Sequence, residues 1–389
     1  MKVVVDRNIP FASAMFAGVA ETVVADGHAI TPDLVRDADA LLVRSVTPVG
    51  AALLDGSRVR FVGTATIGCD HVDQAWLRSR GIGFASAPGS NATSVAEYLV
   101  AALLTLARRL GRDLGTMTLG VVGAGNVGSR VAARAKALGM RVLCNDPPLA
   151  RRSTSAGFVP LDELMEADVV TLHVPLLREG EDATFHLFDA RRLARMKPGA
   201  ILVNTSRGAV VETLALRDAL GSGRLEAAVL DVWEGEPAID TGLLARVALG
   251  TAHIAGYSTD GKAAGARMVH EALCGHFGIA ARWDFDRGLP APEHPRIALD
   301  DAPRTFQQAA DEAVRLAYPI ERDDAALRGL LGLPREQQGA HFRALRSRYP
   351  VRREFAATTL GVPARLAGDA ARLEELGFRV ERIGGASAP

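Results

Sequence analysis

Gly120-Val121-Val122-Gly123-Ala124-Gly125-Asn126-Val127-Gly128 decides the fold. An apolar run over 118–122 predicts a strand leading into it, and a helical pattern over 127–138 leaves it. Gly123 suits the tight turn, Gly125 lets the backbone approach a pyrophosphate, and Gly128 lets the helix pack closely on the strand. The helix N-terminus presents unpaired N–H groups and the positive end of its dipole to phosphate. The next expected strand, 141–145, ends at Asp146, near the usual offset of a ribose-binding carboxylate. A carboxylate there bonds the ribose hydroxyls and repels a 2′-phosphate, so the reading is NAD rather than NADP. A lone GxGxxG also occurs in ordinary turns, and an Asp before Pro147-Pro148 also suits a turn. Strand, glycine loop, helix, strand and Asp in that order outweigh both.

Outward from this stretch, Val-rich runs alternate with helical patterns. Strands are expected near 2–6, 22–25, 40–44, 59–64 and 82–86. A second set is expected near 118–122, 141–145, 169–174, 200–205, 227–232 and 248–252, with helices over 94–110, 127–138, 212–221 and 259–280. Such alternation predicts parallel sheets covered on both faces. Two sets predict an α/β protein with two doubly wound lobes: a substrate lobe of residues 1–93 and 258–286, and a Rossmann lobe of residues 94–257. Gly288, Pro290 and Pro292 read as a linker. The segment 287–389 is too apolar for a tail and is expected to form a small α+β domain. It carries a β-like run at 351–358, a helix-to-strand pattern at 368–381 and no chemical motif.

With 48% hydrophobic and 23% charged residues among 389, the chain is neither disordered nor fibrous. Forty-five basic residues balance 45 acidic ones, so no net field draws it to nucleic acid or to an anionic membrane. Cys69, Cys144 and Cys274 lack metal-ligand spacing and read as free thiols of a reducing compartment. The start, Met1-Lys2-Val3-Val4-Val5-Asp6, is charged too soon for a signal peptide, and no apolar run reaches the roughly 18 residues of a membrane span. A soluble cytoplasmic protein without metal is expected.

Three polar residues follow expected strands of the second lobe: Arg207, Glu236 and His253. In an open parallel sheet, ligands gather outside the carboxyl ends of strands. Oxidation of a 2-hydroxy acid needs a base for the hydroxyl proton, and a His suits that. A carboxylate orients the imidazole and stabilises its charged form. An Arg fork grips the substrate carboxylate. Taken singly, each has a plainer reading as a solvated or structural group.

Together with the glycine loop, Asn204-Thr205-Ser206-Arg207-Gly208, Asp231-Val232-Trp233-Glu234-Gly235-Glu236-Pro237 and His253-Ile254-Ala255-Gly256 resemble the signatures of the D-isomer-specific 2-hydroxyacid dehydrogenases. The resemblance implies a flavodoxin-like substrate lobe beside the Rossmann NAD lobe, with Arg207, Glu236 and His253 catalytic. It implies NAD contacts from Gly123, Gly125, Asn126, Val127, Gly128, Asp146, Pro175, Thr205, Ser206, Arg207, Asp231 and Gly256. A finer resemblance is carried by residues 65–73, 146–148 and 253–262. It is to the branch of that family that oxidises 4-phospho-D-erythronate at C2, giving (R)-3-hydroxy-2-oxo-4-phosphooxybutanoate for vitamin B6 synthesis. It implies substrate contacts from Ser45, Thr66 and Tyr257, a C-terminal dimerisation domain and a cytoplasmic homodimer; Arg44, beside Ser45, is a further phosphate candidate. Cys69 and Val174 depart from the pattern, each standing where a Thr is usual. His71 reads as packed or capping rather than catalytic. Two other readings stay open: a 3-phosphoglycerate or hydroxypyruvate dehydrogenase, and an NAD-sensing binding protein on the same scaffold.

Overall fold

The computed structural model describes residues 1–152 and 157–383. The chain divides into two compact units, one of Met1–Ala92 with Ser258–Pro290 and one of Thr93–Tyr257 with Ala291–Pro389.

The first unit holds a parallel sheet of β1 (Lys2–Asp6), β2 (Glu21–Ala25), β3 (Ala40–Val43), β4 (Phe61–Thr64) and β5 (Gly83–Ala85) in the order β2-β1-β3-β4-β5. This is the flavodoxin-like order. Its central strands are unbroken apolar runs because both faces are covered. Val3, Val5 and Leu42 enter one core cluster, and Val4, Leu41 and Val62 enter the other. The helix Thr259–Phe277 lies on β4, where Gly63 leaves room: a Cβ there would stand 3.1 Å from Val269 Cβ.

The second unit holds β6 (Thr118–Val122), β7 (Arg141–Asn145), β8 (Val169–Leu172), β9 (Ala200–Asn204), β10 (Leu225–Leu230) and β11 (Leu249–Gly250), all parallel, in the order β11-β10-β9-β8-β6-β7. Beyond β7, Phe158 forms a single parallel bridge to Cys144. Counting that bridge as a strand gives the 3-2-1-4-5-6 order of a dinucleotide fold, with β11 added at the far edge. The order reverses between β6 and β8, so the glycine loop opens at the switch point.

Residues beyond 290 form a three-stranded parallel sheet, β12 (Arg296–Ala298), β13 (Thr359–Val362) and β14 (Arg379–Arg382), with helices Phe306–Ala317, Ile320–Arg328 and Arg335–Ser347. They share a core with the dinucleotide lobe: Leu99 and Leu103 of the helix Ala92–Leu110 lie in one cluster with Phe306, Ala310, Phe355 and Leu373. Charge is shared as well. Glu97 Oε1 accepts from the Phe355 N–H at 2.9 Å and lies 3.4 Å from Arg134 Nη2; Arg134 Nε donates to the Leu376 carbonyl at 2.9 Å. Arg352 donates to the carbonyls of Ser94 at 2.7 Å and Ala255 at 3.1 Å.

These bonds correct one expectation. The run 351–358 is not a strand; residues 355–357 form a short 3-10 turn and β13 begins at Thr359. The Phe355 N–H goes to Glu97 and Arg352 points into the lobe, so this stretch is anchored by side chains instead of entering a ladder. Burial pushes the Glu97 pKa up to about 8, and Glu97→Ala would take the acceptor from the Phe355 N–H and the nearby carboxyl from Arg134. Leaving a buried donor unsatisfied costs about 1–3 kcal/mol. A clear drop in thermal midpoint is expected, with Glu97→Gln milder; an unchanged midpoint in both would remove this cluster from the stabilising contacts.

Candidate active site

The glycine loop is shaped by what its neighbours leave. Gly123 has φ +86°, and a Cβ on it would stand 2.8 Å from the His173 carbonyl oxygen. On Gly128 a Cβ would fall 1.9 Å from the Gly123 carbonyl oxygen. Gly125 is the opposite case: nothing lies within 4 Å of its Cβ position. Gly125 caps the helix Asn126–Ala137, so open space meets the amino end of a three-turn helix. That cradle fits a pyrophosphate. Asp146 stands at the end of β7, its Oδ2 accepting the Ala124 N–H at 2.9 Å and its Oδ1 the Leu149 N–H at 3.0 Å. It is therefore a turn cap and an oriented carboxylate at once, with lone pairs left for a ribose diol.

At the end of β8, Pro175 is exposed and Val174 packs behind the loop, its Cγ1 2.9 Å from the Cβ position of Gly123. His173 is a site residue that motif reading missed. Its Nε2 lies 3.0 Å from Thr171 Oγ1 and its Nδ1 3.2 Å from Thr205 Oγ1, and burial pushes its pKa down to about 3. A neutral imidazole thus orients the Thr205 hydroxyl.

Arg207, Glu236 and His253 follow β9, β10 and β11, which are neighbours in the sheet. Asn204 builds the first loop: its Oδ1 accepts from the Ser206 N–H and hydroxyl, and its Nδ2 donates to the Arg207 carbonyl. The first and second loops touch so closely that a Cβ on Gly208 would fall 1.9 Å from the Trp233 carbonyl carbon. In the second loop, Glu236 Oε1 accepts the Trp233 N–H at 2.7 Å, and its Oε2 lies 2.8 Å from His253 Nδ1. Burial by itself would raise the Glu236 pKa; His253, the Trp233 N–H and Arg346 outweigh it and hold the carboxylate below its usual range. With Nδ1 paired to Glu236, Nε2 is the ring nitrogen that could meet a ligand's proton.

Asp231 does something other than face a ligand. It is 1% exposed, and its carboxylate accepts the Thr251 hydroxyl at 2.6 Å, the Ile254 N–H at 2.7 Å and the Ala255 N–H at 2.9 Å. It fixes the loop that carries His253 and runs on to Gly256 and Tyr257.

In the first unit, Arg44 donates to the Asn8 carbonyl at 3.2 Å, Ser45 is exposed, and Thr66 Oγ1 lies 2.7 Å from Thr64 Oγ1. His71 Nε2 is 3.0 Å from that same Thr64 hydroxyl, and burial lowers its pKa. Lys262 is a second residue that motif reading left without a role. It stands in the first turn of the helix Thr259–Phe277, where a cation opposes the dipole. Burial, then the charge of Arg44, pushes its pKa down to about 8.

Comparison with known proteins matches this geometry to a family. The model "D-isomer specific 2-hydroxyacid dehydrogenase, NAD binding domain" matches residues 96–255, and "Domain of unknown function (DUF3410)" matches 289–377. Erythronate-4-phosphate dehydrogenase of Citrobacter koseri is 48% identical over 337 residues, 86% of this chain and 89% of its own. The chain belongs to the erythronate-4-phosphate dehydrogenase family. Among solved structures, a protein of Thermus thermophilus is 32% identical, with TM-score 0.63, over 72% of this chain and 98% of its own. D-Lactate dehydrogenase of Aquifex aeolicus, solved with NAD and lactic acid, is 27% identical, with TM-score 0.57, over 71% of this chain and 96% of its own. NAD is the cofactor of this family member, an oxidoreductase, and the glycine cradle fits it. No helix of the described residues is long and apolar enough to cross a membrane, and no cluster among them could hold a metal.

Replacing His253 by Asn removes the candidate base while leaving the glycine cradle intact. Turnover should fall about 10²–10⁴-fold, with NADH affinity, read by fluorescence titration, close to that of the unaltered protein. An equal loss in both would make His253 a structural residue.

Proposed function

We propose that this protein oxidises 4-phospho-D-erythronate at C2 with NAD, giving (R)-3-hydroxy-2-oxo-4-phosphooxybutanoate for vitamin B6 synthesis. The observation that carries the chemistry is the 2.8 Å pair of His253 Nδ1 and Glu236 Oε2 at the carboxyl end of the sheet. NAD, when bound, accepts hydride from C2. His253 Nε2 takes the proton of the C2 hydroxyl as that carbon becomes a carbonyl, and Glu236 stabilises the imidazolium that results. Arg207 grips the substrate carboxylate and polarises the adjacent oxygen. Gly123, Gly125, Asn126, Val127 and Gly128 would hold the pyrophosphate, and Asp146 the adenine ribose. Pro175, Thr205, Ser206 and Gly256 line the nicotinamide end in this reading.

The substrate phosphate needs cations, and Arg44 and Lys262 supply two beside each other in the first unit, with the hydroxyls of Ser45 and Thr66 on the same lobe. Tyr257 is a further substrate contact that the family resemblance supports. Bringing two like charges together costs free energy, which a dianionic phosphate offsets. Lys262 is charged below its pKa of about 8 and neutral above it. The KM for the phosphorylated substrate should therefore climb as pH rises through 8. Lys262→Met should raise KM about tenfold or more, since a charge-assisted hydrogen bond contributes about 1.5–3 kcal/mol, and should flatten that climb. A flat KM in the unaltered protein across this range would detach Lys262 from the phosphate.

The decisive experiment is product formation from 4-phospho-D-erythronate and NAD, read by mass spectrometry, with 3-phosphoglycerate as comparator. A parallel reaction includes a 2-oxo acid, so that slowly leaving NADH does not mask turnover. Product from the erythronate phosphate alone supports the reading; preference for 3-phosphoglycerate keeps the chemistry and overturns the substrate. The reading includes a cytoplasmic homodimer, supported by the family resemblance of residues 287–389. Because that segment shares a core with the dinucleotide lobe, deleting it would expose Leu99 and Leu103. The mass of the intact chain by light scattering is the better test, and a monomer at micromolar concentration would withdraw the dimer.

A further inference from the structure

The C-terminal segment sends one charged side chain toward the acid–base pair. Arg346 stands in the last turn of the helix Arg335–Ser347. Its guanidinium carbon lies 5.5 Å from the centroid of the Tyr257 ring, and Tyr349 meets that ring edge-on at 5.9 Å. The same helix runs beside the residue that follows Glu236: the Cβ position of Gly339 is 3.6 Å from Pro237 Cγ. Arg346 is also among the charges that keep Glu236 ionised. Its Nε is buried with no hydrogen-bond partner among the described residues. A guanidinium held this way is poor packing material, because an unsatisfied buried N–H costs about 1–3 kcal/mol. Its position over the Tyr257 ring, on a helix that runs beside the Glu236 loop, accounts for it better than stability does.

We propose that Arg346 is a positioning residue of the active site, its guanidinium fixing the Tyr257 ring and supplying the positive charge that balances Glu236. The helix Arg335–Ser347, within the segment that matches the model of a domain of unknown function, is thereby part of the reaction centre of its own chain. This rests on reading Glu236 and His253 as the acid–base pair and Tyr257 as a substrate contact. Glu236 is met by His253 from the loop after β11 and by the Trp233 N–H from its own loop, and feels the charge of Arg346 from the C-terminal helix. Around Tyr257, the Tyr349 hydroxyl is committed to Asp323 at 2.8 Å, which also takes the Tyr318 hydroxyl, and Arg352 lies over the Tyr318 ring at 3.7 Å. Arg346 thus meets the Tyr257 ring directly and acts on Glu236 through its charge.

The test uses the full-length protein and the variants Arg346→Gln and Arg346→Lys. The first readout needs no substrate: titration of the His253 imidazole by NMR, with NADH affinity by fluorescence as a check on the fold. Removing a positive charge lets the Glu236–His253 pair hold its proton to higher pH. Arg346→Gln should move the His253 midpoint upward by about half a unit and leave NADH affinity within about twofold. Arg346→Lys, which keeps the charge, should leave the midpoint near its original value. An unmoved midpoint in Arg346→Gln with intact NADH binding overturns the proposal. So does a loss of NADH affinity in both variants, which would make Arg346 a structural residue. The second readout is steady-state kinetics with 4-phospho-D-erythronate. Both variants should raise KM, Arg346→Lys included, because an ammonium cannot lie flat on the Tyr257 ring; a native KM in Arg346→Gln would remove the contact to Tyr257. Should the unaltered protein not turn over this substrate, the function reading fails while the imidazole titration still decides the role of Arg346.

Discussion

The buried carboxylate of Asp231 is the constraint on which the site depends. His253 has φ +57°, a left-handed backbone that a non-glycine residue keeps only when its surroundings over-determine it. Asp231 supplies that determination by taking the Thr251 hydroxyl and the N–H groups of Ile254 and Ala255, while its own carbonyl accepts the His253 N–H at 2.7 Å. The loop is therefore tied on both sides of His253 to a single residue at the end of β10. Two further elements hold the same loop. Tyr98 of the helix Ala92–Leu110 reaches the Thr251 hydroxyl at 2.8 Å, and Ser94 and Arg352 both donate to the Ala255 carbonyl. With its backbone so fixed, the imidazole has little left to decide, and the 2.8 Å contact with Glu236 decides it.

Two carboxylates after one strand thus have different tasks, and their surroundings assign them. Asp231 is sealed and takes three donors from a loop. The Glu236 side chain keeps 20% of its surface exposed and divides its oxygens between one backbone N–H and the imidazole. Sequence placed both near the ligand, because both follow β10 in a motif with known signatures. It did not tell them apart. Burial and donor count depend on which distant backbone lies opposite, and the partners of Asp231 stand 20 or more positions away.

That distinction separates what was legible in the sequence from what was not. The glycine loop was legible because its constraints are local: Gly123 and Gly128 are required by contacts with each other and with the adjacent strand end. The alternation of strands and helices was legible because parallel strands buried on both faces must be apolar throughout. The third strand of the dinucleotide fold escaped notice because it has shrunk to the single bridge of Phe158 with Cys144. The run 351–358 misled because its apolar and β-favouring residues serve anchorage: Phe355 stacks on Phe378 at 4.5 Å and gives its N–H to Glu97. His173 and Lys262 lay in stretches already singled out and still went unassigned, since their roles follow from what presses on them. His173 is neutral because it is buried, and Lys262 is poised because it is buried and Arg44 stands close.

The C-terminal segment was legible only as an extra domain, and its physical relation to the site changes what such a domain is for. A module added solely to join two copies would need a core of its own and an outer face. Here Phe306, Phe355 and Leu373 complete a cluster with Leu99 and Leu103 of the lobe helix, and Arg352 is spent on carbonyls of Ser94 and Ala255. Asp324 of the helix Ile320–Arg328 accepts the Gly250 N–H at 2.8 Å at the end of β11, three residues before His253. Every one of these contacts ends on an element that carries or braces the His253 loop. Any displacement of the segment would therefore reach the loop through hydrogen bonds and not merely through bulk packing. The segment is better described as the outer wall of the dinucleotide lobe.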